Sequence, residues 1–113
     1  DLKVTALFWA CSRGHNDAVK LLLNAGADPN HPVKSNGNCT ALHEAVYPED
    51  PALIRTLLDT DKADANARDD DGWTPLHHAA CCRSAEVLRL LVEVGNADVD
   101  ARDHNGETAL YVA

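Results

Sequence analysis

Four short phrases of one kind recur along this chain: KVTALFWAC at 3–11, NCTALHEAV at 38–46, DGWTPLHHAA at 71–80 and NGETALYVA at 105–113. Their threonines, Thr5, Thr40, Thr74 and Thr108, are spaced by 35, 34 and 34 residues. A fixed period of this size constrains the fold more than any local pattern, because it signals stacked copies of one supersecondary unit. Each complete unit carries a second landmark downstream: GADPN at 26–30, KADAN at 62–66 and NADVD at 96–100. The separations from threonine to Asp28, Asp64 and Asp98 are 23, 24 and 24 residues, which places one extra residue near Lys62 and Asn96.

The unit decodes physically. Thr74-Pro75 fits an N-cap with Pro at the first helical position, where its missing N–H costs nothing. Leu76, Ala79 and Ala80 then share one side of a short helix, with alanines small enough to admit a close neighbour. A turn around Arg83-Ser84 leads into a second helix, whose apolar stripe is Val87, Leu88, Leu90 and Leu91. Gly95 fits a helix C-terminal stop, and ARDDDGW reads as an extended finger with a tight turn at Asp71-Gly72. Two short helices cannot bury their apolar face alone, whereas stacked neighbours can.

GWTPLHHAA with LRLLVEVGNADVDARDHNGET closely resembles the ankyrin repeat, as does TALFWACSRGHNDAVKLLLNAGADPN. The resemblance covers residues 1–113 as one domain, with repeats at 5–39, 40–73 and 74–107 and a partial repeat at 108–113. It implies an all-α, slightly curved solenoid of helix-turn-helix units with projecting β-hairpin fingers. Three departures stand out. HPVKSNGNC makes the first finger two residues longer than the usual turn, and YPEDP at 47–51 replaces the usual Gly-His turn, so that joint is expected to be remodelled. The end at Ala113 falls inside a helix and leaves Leu110, Tyr111 and Val112 without a following partner; together with the absence of Met, this reads as a fragment of a longer array.

Charge and cysteine usage narrow the chemistry. Ten Lys and Arg against 18 Asp and Glu give a formal charge of −8, which disfavours nucleic acid and favours basic or neutral protein surfaces. The apolar runs are too short to span a bilayer, so no membrane insertion is expected, and no secretory leader is visible. Cys11, Cys39, Cys81 and Cys82 form no spaced CxxC pairs and read as reduced thiols of an intracellular protein, cytoplasmic or nuclear. The sequon Asn38-Cys39-Thr40 points weakly the other way and is discounted.

Candidate chemistry dissolves on inspection. His43 and His77 share one slot of the repeat, and the resemblance implies a structural role in which the ring hydrogen-bonds backbone in the adjoining turn. His77 with Cys81 and His78 with Cys82 are spaced to face a metal together on a helix. The repeat register places no other His or Cys beside them, so that spacing reads as incidental. ARDDDGW lacks both essential carboxylates of a calcium loop, having Ala67 and His78 in those slots. In HEAVY, Tyr47 stands where a zinc-protease helix needs its second His. The expectation is a chain without catalysis, cofactor or metal.

The resemblance implies a protein-protein interaction module whose fingers and first helices form one variable surface. Trp73, Asp70, Asp71, Tyr47 and Glu44 are the expected anchor and charge set for a basic peptide or domain. Trp9, Arg68, His78, Cys81, Arg102 and His104 fall on the same surface. Trp73 can pack between fingers or serve as a hot spot, and both readings stay open. One alternative is a methyl-lysine reader, although Trp73 is followed by His78 and Trp9 is preceded by Val4, so the two tryptophans of such a cage fall in different repeats. Another is the substrate-recognition or regulatory segment of a larger enzyme or ubiquitin-ligase receptor. The family's asparagine-hydroxylation pattern fits Asn30 and Asn66, each eight residues after a leucine, but not Asp100.

Overall fold

A computed structural model describes residues 2–59 and 63–112. In chain order the helices are α1 (Leu2–Ser12), α2 (Asn16–Asn24), α3 (Ala41–Ala45), α4 (Pro51–Asp59), α5 (Pro75–Cys82), α6 (Ala85–Glu93) and α7 (Ala109–Val112). A 3-10 turn covers Lys34–Asn36. The first helices α1, α3, α5 and α7 pack side by side in one layer, while α2, α4 and α6 form the second. The resulting stack measures 37 × 27 × 21 Å.

The threonines start the helices they were expected to start, with one exception. Thr40 and Thr74 each close a capping box in which the third helical residue is a histidine rather than the usual Glu or Gln. His43 Nδ1 accepts the Thr40 N–H at 3.0 Å, and His77 Nδ1 accepts the Thr74 N–H at 3.2 Å. Pro75 occupies the first turn of α5. Helix α1 instead begins at Leu2, so Thr5 lies inside it. Phe8 fills the histidine slot there and offers no nitrogen to close a box.

The core is the period made visible. Leu7, Leu42 and Leu76 are buried in register across the first-helix layer, as are Ala10, Ala45 and Ala79. Leu57 and Leu91 repeat the pattern in the second layer. Each buried leucine contributes about 1.5–3 kcal/mol by leaving water, and the alanine row lets adjacent helices approach.

Of two expectations about joints, one holds and one is corrected. The YPEDP joint is remodelled as its sequence indicated, since α3 ends at Ala45 after five residues against eight in α5 and the chain turns over 46–49. Yet Gly14, Glu49 and Arg83 share one register position with φ of 71°, 56° and 59°. Reversing the chain after a helix requires a left-handed residue, and here Glu49 and Arg83 take that conformation at a steric cost. Gly95, by contrast, is not the left-handed stop. The extra residue Asn96 takes that role at φ 56°, while a Cβ on Gly95 would meet Leu91 O at 2.8 Å and Leu58 Cδ2 at 3.0 Å. Gly95 is therefore a close-approach residue. Lys62, the corresponding extra residue of the second repeat, lies outside the described residues.

The fingers reverse direction without a strand ladder. Among the described residues the sole β feature is an isolated antiparallel bridge between Val33 and Cys39. The closing bonds are Val33 N to Cys39 O at 2.9 Å, Asp69 N to Trp73 O at 3.0 Å, and Asp103 N to Glu107 O at 2.9 Å. The first finger thus closes over a loop two residues longer than the others, as its sequence indicated. Arms this short leave no room for a ladder, so the expected hairpins are hydrogen-bonded turns.

Candidate functional site

The fingers are tied to one another at repeat spacing. Asp70 N donates to Gly37 O at 2.9 Å and His104 N donates to Asp71 O at 3.1 Å. At their bases, Asn30 Oδ1 accepts the Asp64 N–H at 2.6 Å and Asn66 Oδ1 accepts the Asp98 N–H at 2.7 Å. His43 and His77 complete the lattice. Their Nε2 atoms lie 2.8 Å from Trp73 O and 2.9 Å from Glu107 O, so with Nδ1 accepting from threonine, Nε2–H is the donor. Both rings are fully buried, and burial pushes the His43 pKa below its ordinary value, with the Trp73 carbonyl only partly opposing it. These histidines are structural, as the resemblance implied, and neither has a nitrogen left for a metal.

The expected partner residues divide into engaged and free. Trp73 is half-buried: its indole Nε1 donates to Asp103 Oδ2 at 3.0 Å, and its ring stacks on His77 at 5.8 Å. It is a wedge between fingers, and its stacked face is unavailable for a cation cage. Arg68 and Arg102 donate to the Arg102 and Gly106 carbonyls at 2.5 and 2.8 Å, so they brace the fingers. His104 is exposed, and its backbone lies where a Cβ on Gly72 would stand, 2.9 Å away.

Exposed instead are Trp9 at 53%, on α1, and Tyr47 at 46%, in the turn after α3. The Arg13 guanidinium sits 5.3 Å over the Trp9 ring. Asp70 and Asp71 are exposed at the second finger tip, with Asp70 Oδ1 accepting from Asn38 Nδ2 at 2.7 Å. Glu44 is half-buried, and burial raises its pKa, although His78 pulls it back. Cys81 is exposed and Cys82 half-buried.

One constellation was missed by sequence reasoning. His78 Nε2 lies 2.8 Å from Asp69 Oδ2, and Cys39 Sγ lies 3.6 Å from the same oxygen. The Tyr47 hydroxyl is 2.5 Å from His78 Nδ1. The Asp69 side chain is only 5% exposed and that of His78 12%. Burial raises the Asp69 pKa, but bonds from His78 and from the Trp73 and Asp71 amides outweigh it and the net shift is downward. The Cys39 thiol is pushed up to about 12, first by burial and then by the Asp69 charge. His78 therefore does not pair with Cys82 along α5; it reaches across two fingers to groups 9 and 39 residues away in sequence. The signal that could have found this cluster was the alignment of Cys39 with Trp73 one period later.

Paired helices in two layers, histidine-capped first helices and mutually bonded fingers define a repeat solenoid of helix-turn-helix units. The family model for ankyrin repeats (3 copies) matches residues 1–69 and again 47–113, and the chain belongs to the ankyrin-repeat family. An ankyrin repeat-containing protein of Treponema pallidum (strain Nichols) is 44% identical over 59 residues, covering 52% of this chain. The matched stretch is 19% of that relative's length. Ankyrin repeats are generally protein-protein interaction modules and typically not catalytic. Among the described residues, no helix is long and apolar enough to cross a membrane.

Proposed function

We propose that this chain is a non-catalytic recognition module that binds a basic peptide or protein domain across its first helices and finger tips. The observation that carries the reading is that two aromatics, Trp9 and Tyr47, and two finger-tip acids, Asp70 and Asp71, are left exposed. Trp9 and Tyr47 stand outside the core, and Asp70 and Asp71 are exposed at the tip of the second finger. Aromatic surface with carboxylates around it suits Lys and Arg side chains, which combine an apolar stem with a cationic head. The Trp9 ring already faces one guanidinium, that of Arg13. A formal charge of −8 adds long-range attraction for the same class of partner.

Affinity capture with this chain as bait, followed by titration of the captured protein, tests the reading. The double substitution Asp70→Lys with Asp71→Lys should weaken binding at least ten-fold, Trp9→Ala should weaken it further, and added salt should weaken the parent complex. Unchanged affinity in both variants rejects the surface. Trp73 is set aside as a test position because its loss would loosen the fingers themselves.

Asn30 and Asn66 remain the proposed sites of asparagine hydroxylation. Each side-chain oxygen is held by the next repeat's amide, so modification requires the finger base to open. Treatment with an asparaginyl hydroxylase should add one oxygen at each position, read by peptide mass.

A further inference from the structure

We propose that Cys39, Asp69 and His78 form a binding site for one zinc-type transition-metal ion, clipping the base of the first finger to the second finger and to α5. The three ligand atoms all lie within 4.8 Å of one another. Tetrahedral zinc, with bonds of about 2.0–2.3 Å, sets neighbouring ligand atoms roughly 3.3–3.6 Å apart. The observed Sγ–Oδ2 distance of 3.6 Å and Oδ2–Nε2 distance of 2.8 Å bracket that range. Seating the ion requires His78 and Asp69 to part by about half an ångström.

Each ligand is already aimed by a second contact. Asp69 Oδ1 accepts the Asp71 and Trp73 amides, both at 2.9 Å, which leaves Oδ2 for the ion. His78 Nδ1 meets the Tyr47 hydroxyl, and the Trp73 ring stands edge-on to the imidazole at 5.0 Å. With Nδ1–H donating to Tyr47 Oη, the Nε2 lone pair faces the ion, the outer-sphere arrangement that ligating histidines usually have. Cys39 is fixed by its bridge to Val33.

Charge balance favours the complex. A divalent ion with one thiolate, one carboxylate and one neutral imidazole sums to zero, which lowers the cost of enclosing it. The thiol proton is released to solvent as the S–metal bond forms, and no electron moves. Three protein ligands leave the fourth position to water. The composition is peculiar to this junction. One repeat later the corresponding carboxylate, Asp103, is taken by the Trp73 indole, and Val112 stands at the His78 position.

The test is titration of metal-stripped, reduced protein with Co2+, followed by competition with Zn2+. One equivalent should give tetrahedral visible absorption together with a sulfur-to-cobalt charge-transfer band, and Zn2+ should displace it and raise Tm. Cys39→Ser should abolish the charge-transfer band and weaken binding more than ten-fold, whereas the double change Cys81→Ser with Cys82→Ser should leave both unchanged. Tyr47→Phe keeps all three ligands and should weaken Co2+ binding about ten-fold; it serves if Cys39→Ser fails to fold by far-UV circular dichroism. Absence of the band, its survival in Cys39→Ser, its loss in the Cys81/Cys82 variant, or full affinity in Tyr47→Phe each overturns the site. The partner surface is tested at Asp70, Asp71 and Trp9, so the two proposals fail separately.

Discussion

The second finger closes around a carboxylate and the first closes without one. In the second, Asp69 Oδ1 gathers two backbone amides and Oδ2 meets His78, so one side chain satisfies three donors. In the first, the residue at the closing bond is Val33, which carries no acceptor, and Ser35 within the longer loop donates to Asn36 Oδ1 at 3.3 Å. The reversal there depends on a 3-10 turn and on two successive left-handed residues, Gly37 and Asn38. The third finger repeats the carboxylate solution, Asp103 taking the amides of Asn105 and Glu107 at 2.9 and 2.8 Å. A buried acceptor replaces several local constraints. Where it is missing, the chain spends extra residues and glycine-like dihedrals to make the same bend.

The largest expected effect sharpens this contrast directly. Asp69→Ala, measured in chelator, should lower unfolding free energy by about 2–4 kcal/mol because two amides lose their acceptor. Ser35→Ala should change it by less than about 0.5 kcal/mol. Equal losses in chemical denaturation would erase the distinction between the fingers.

Glycine positions give the next test. Gly72→Ala combines φ 76° with a Cβ placed 2.9 Å from His104 N, and should cost about 2–3 kcal/mol. Gly37→Ala has φ 68° but open space, and should cost about 1 kcal/mol. Similar shifts in Tm would show that the second finger does not bear on the third.

Acid should act through His43, which links the two fingers by bonding the Trp73 carbonyl from a cap at the end of the first. Its folded pKa lies below the unfolded value of 6.5, so the unfolded chain takes up the proton first as pH falls. Stability is therefore full above about pH 6.5 and declines as pH drops below it. Thermal melts between pH 7 and 5 should show the decline, and His43→Gln should flatten it while lowering Tm throughout.

The smallest effect lies at a joint rather than a finger. Glu49→Gly relieves a left-handed glutamate at φ 56° and should add about 0.5–1 kcal/mol, since glycine's greater unfolded freedom offsets part of the gain. A lower Tm would mean that Glu49 makes contacts beyond its backbone.

The stack itself was legible because it is written in period. Thr74-Pro75, the leucine and alanine rows, and the shared histidine slot each encode an interaction with a copy one unit away. Sequence could not place what depends on side chains leaving their own repeat. Trp73 was open between wedge and hot spot until Asp103 was seen to take its indole N–H. Arg68 and Arg102 belong to the expected partner surface, yet they donate to carbonyls of the third finger and its approach. In the sequence Cys39 is one of four thiols, Asp69 one letter of the ARDDDGW finger, and His78 half of an i,i+4 pair. Their meeting follows only from fingers that curl over the helix of the following unit. The YPEDP joint was legible as a departure, for α3 stops at Ala45, but composition gave no sign that Glu49 would still sit left-handed where Gly14 does.

The ties from Asp70 to Gly37 and from His104 to Asp71 run between main-chain atoms of adjacent units, at one constant offset. Such seams are indifferent to which side chains flank them, so a duplication or excision of a whole unit in the gene would leave every seam matched. Length in this architecture is thus open to recombination, while the residues displayed along it diverge on their own.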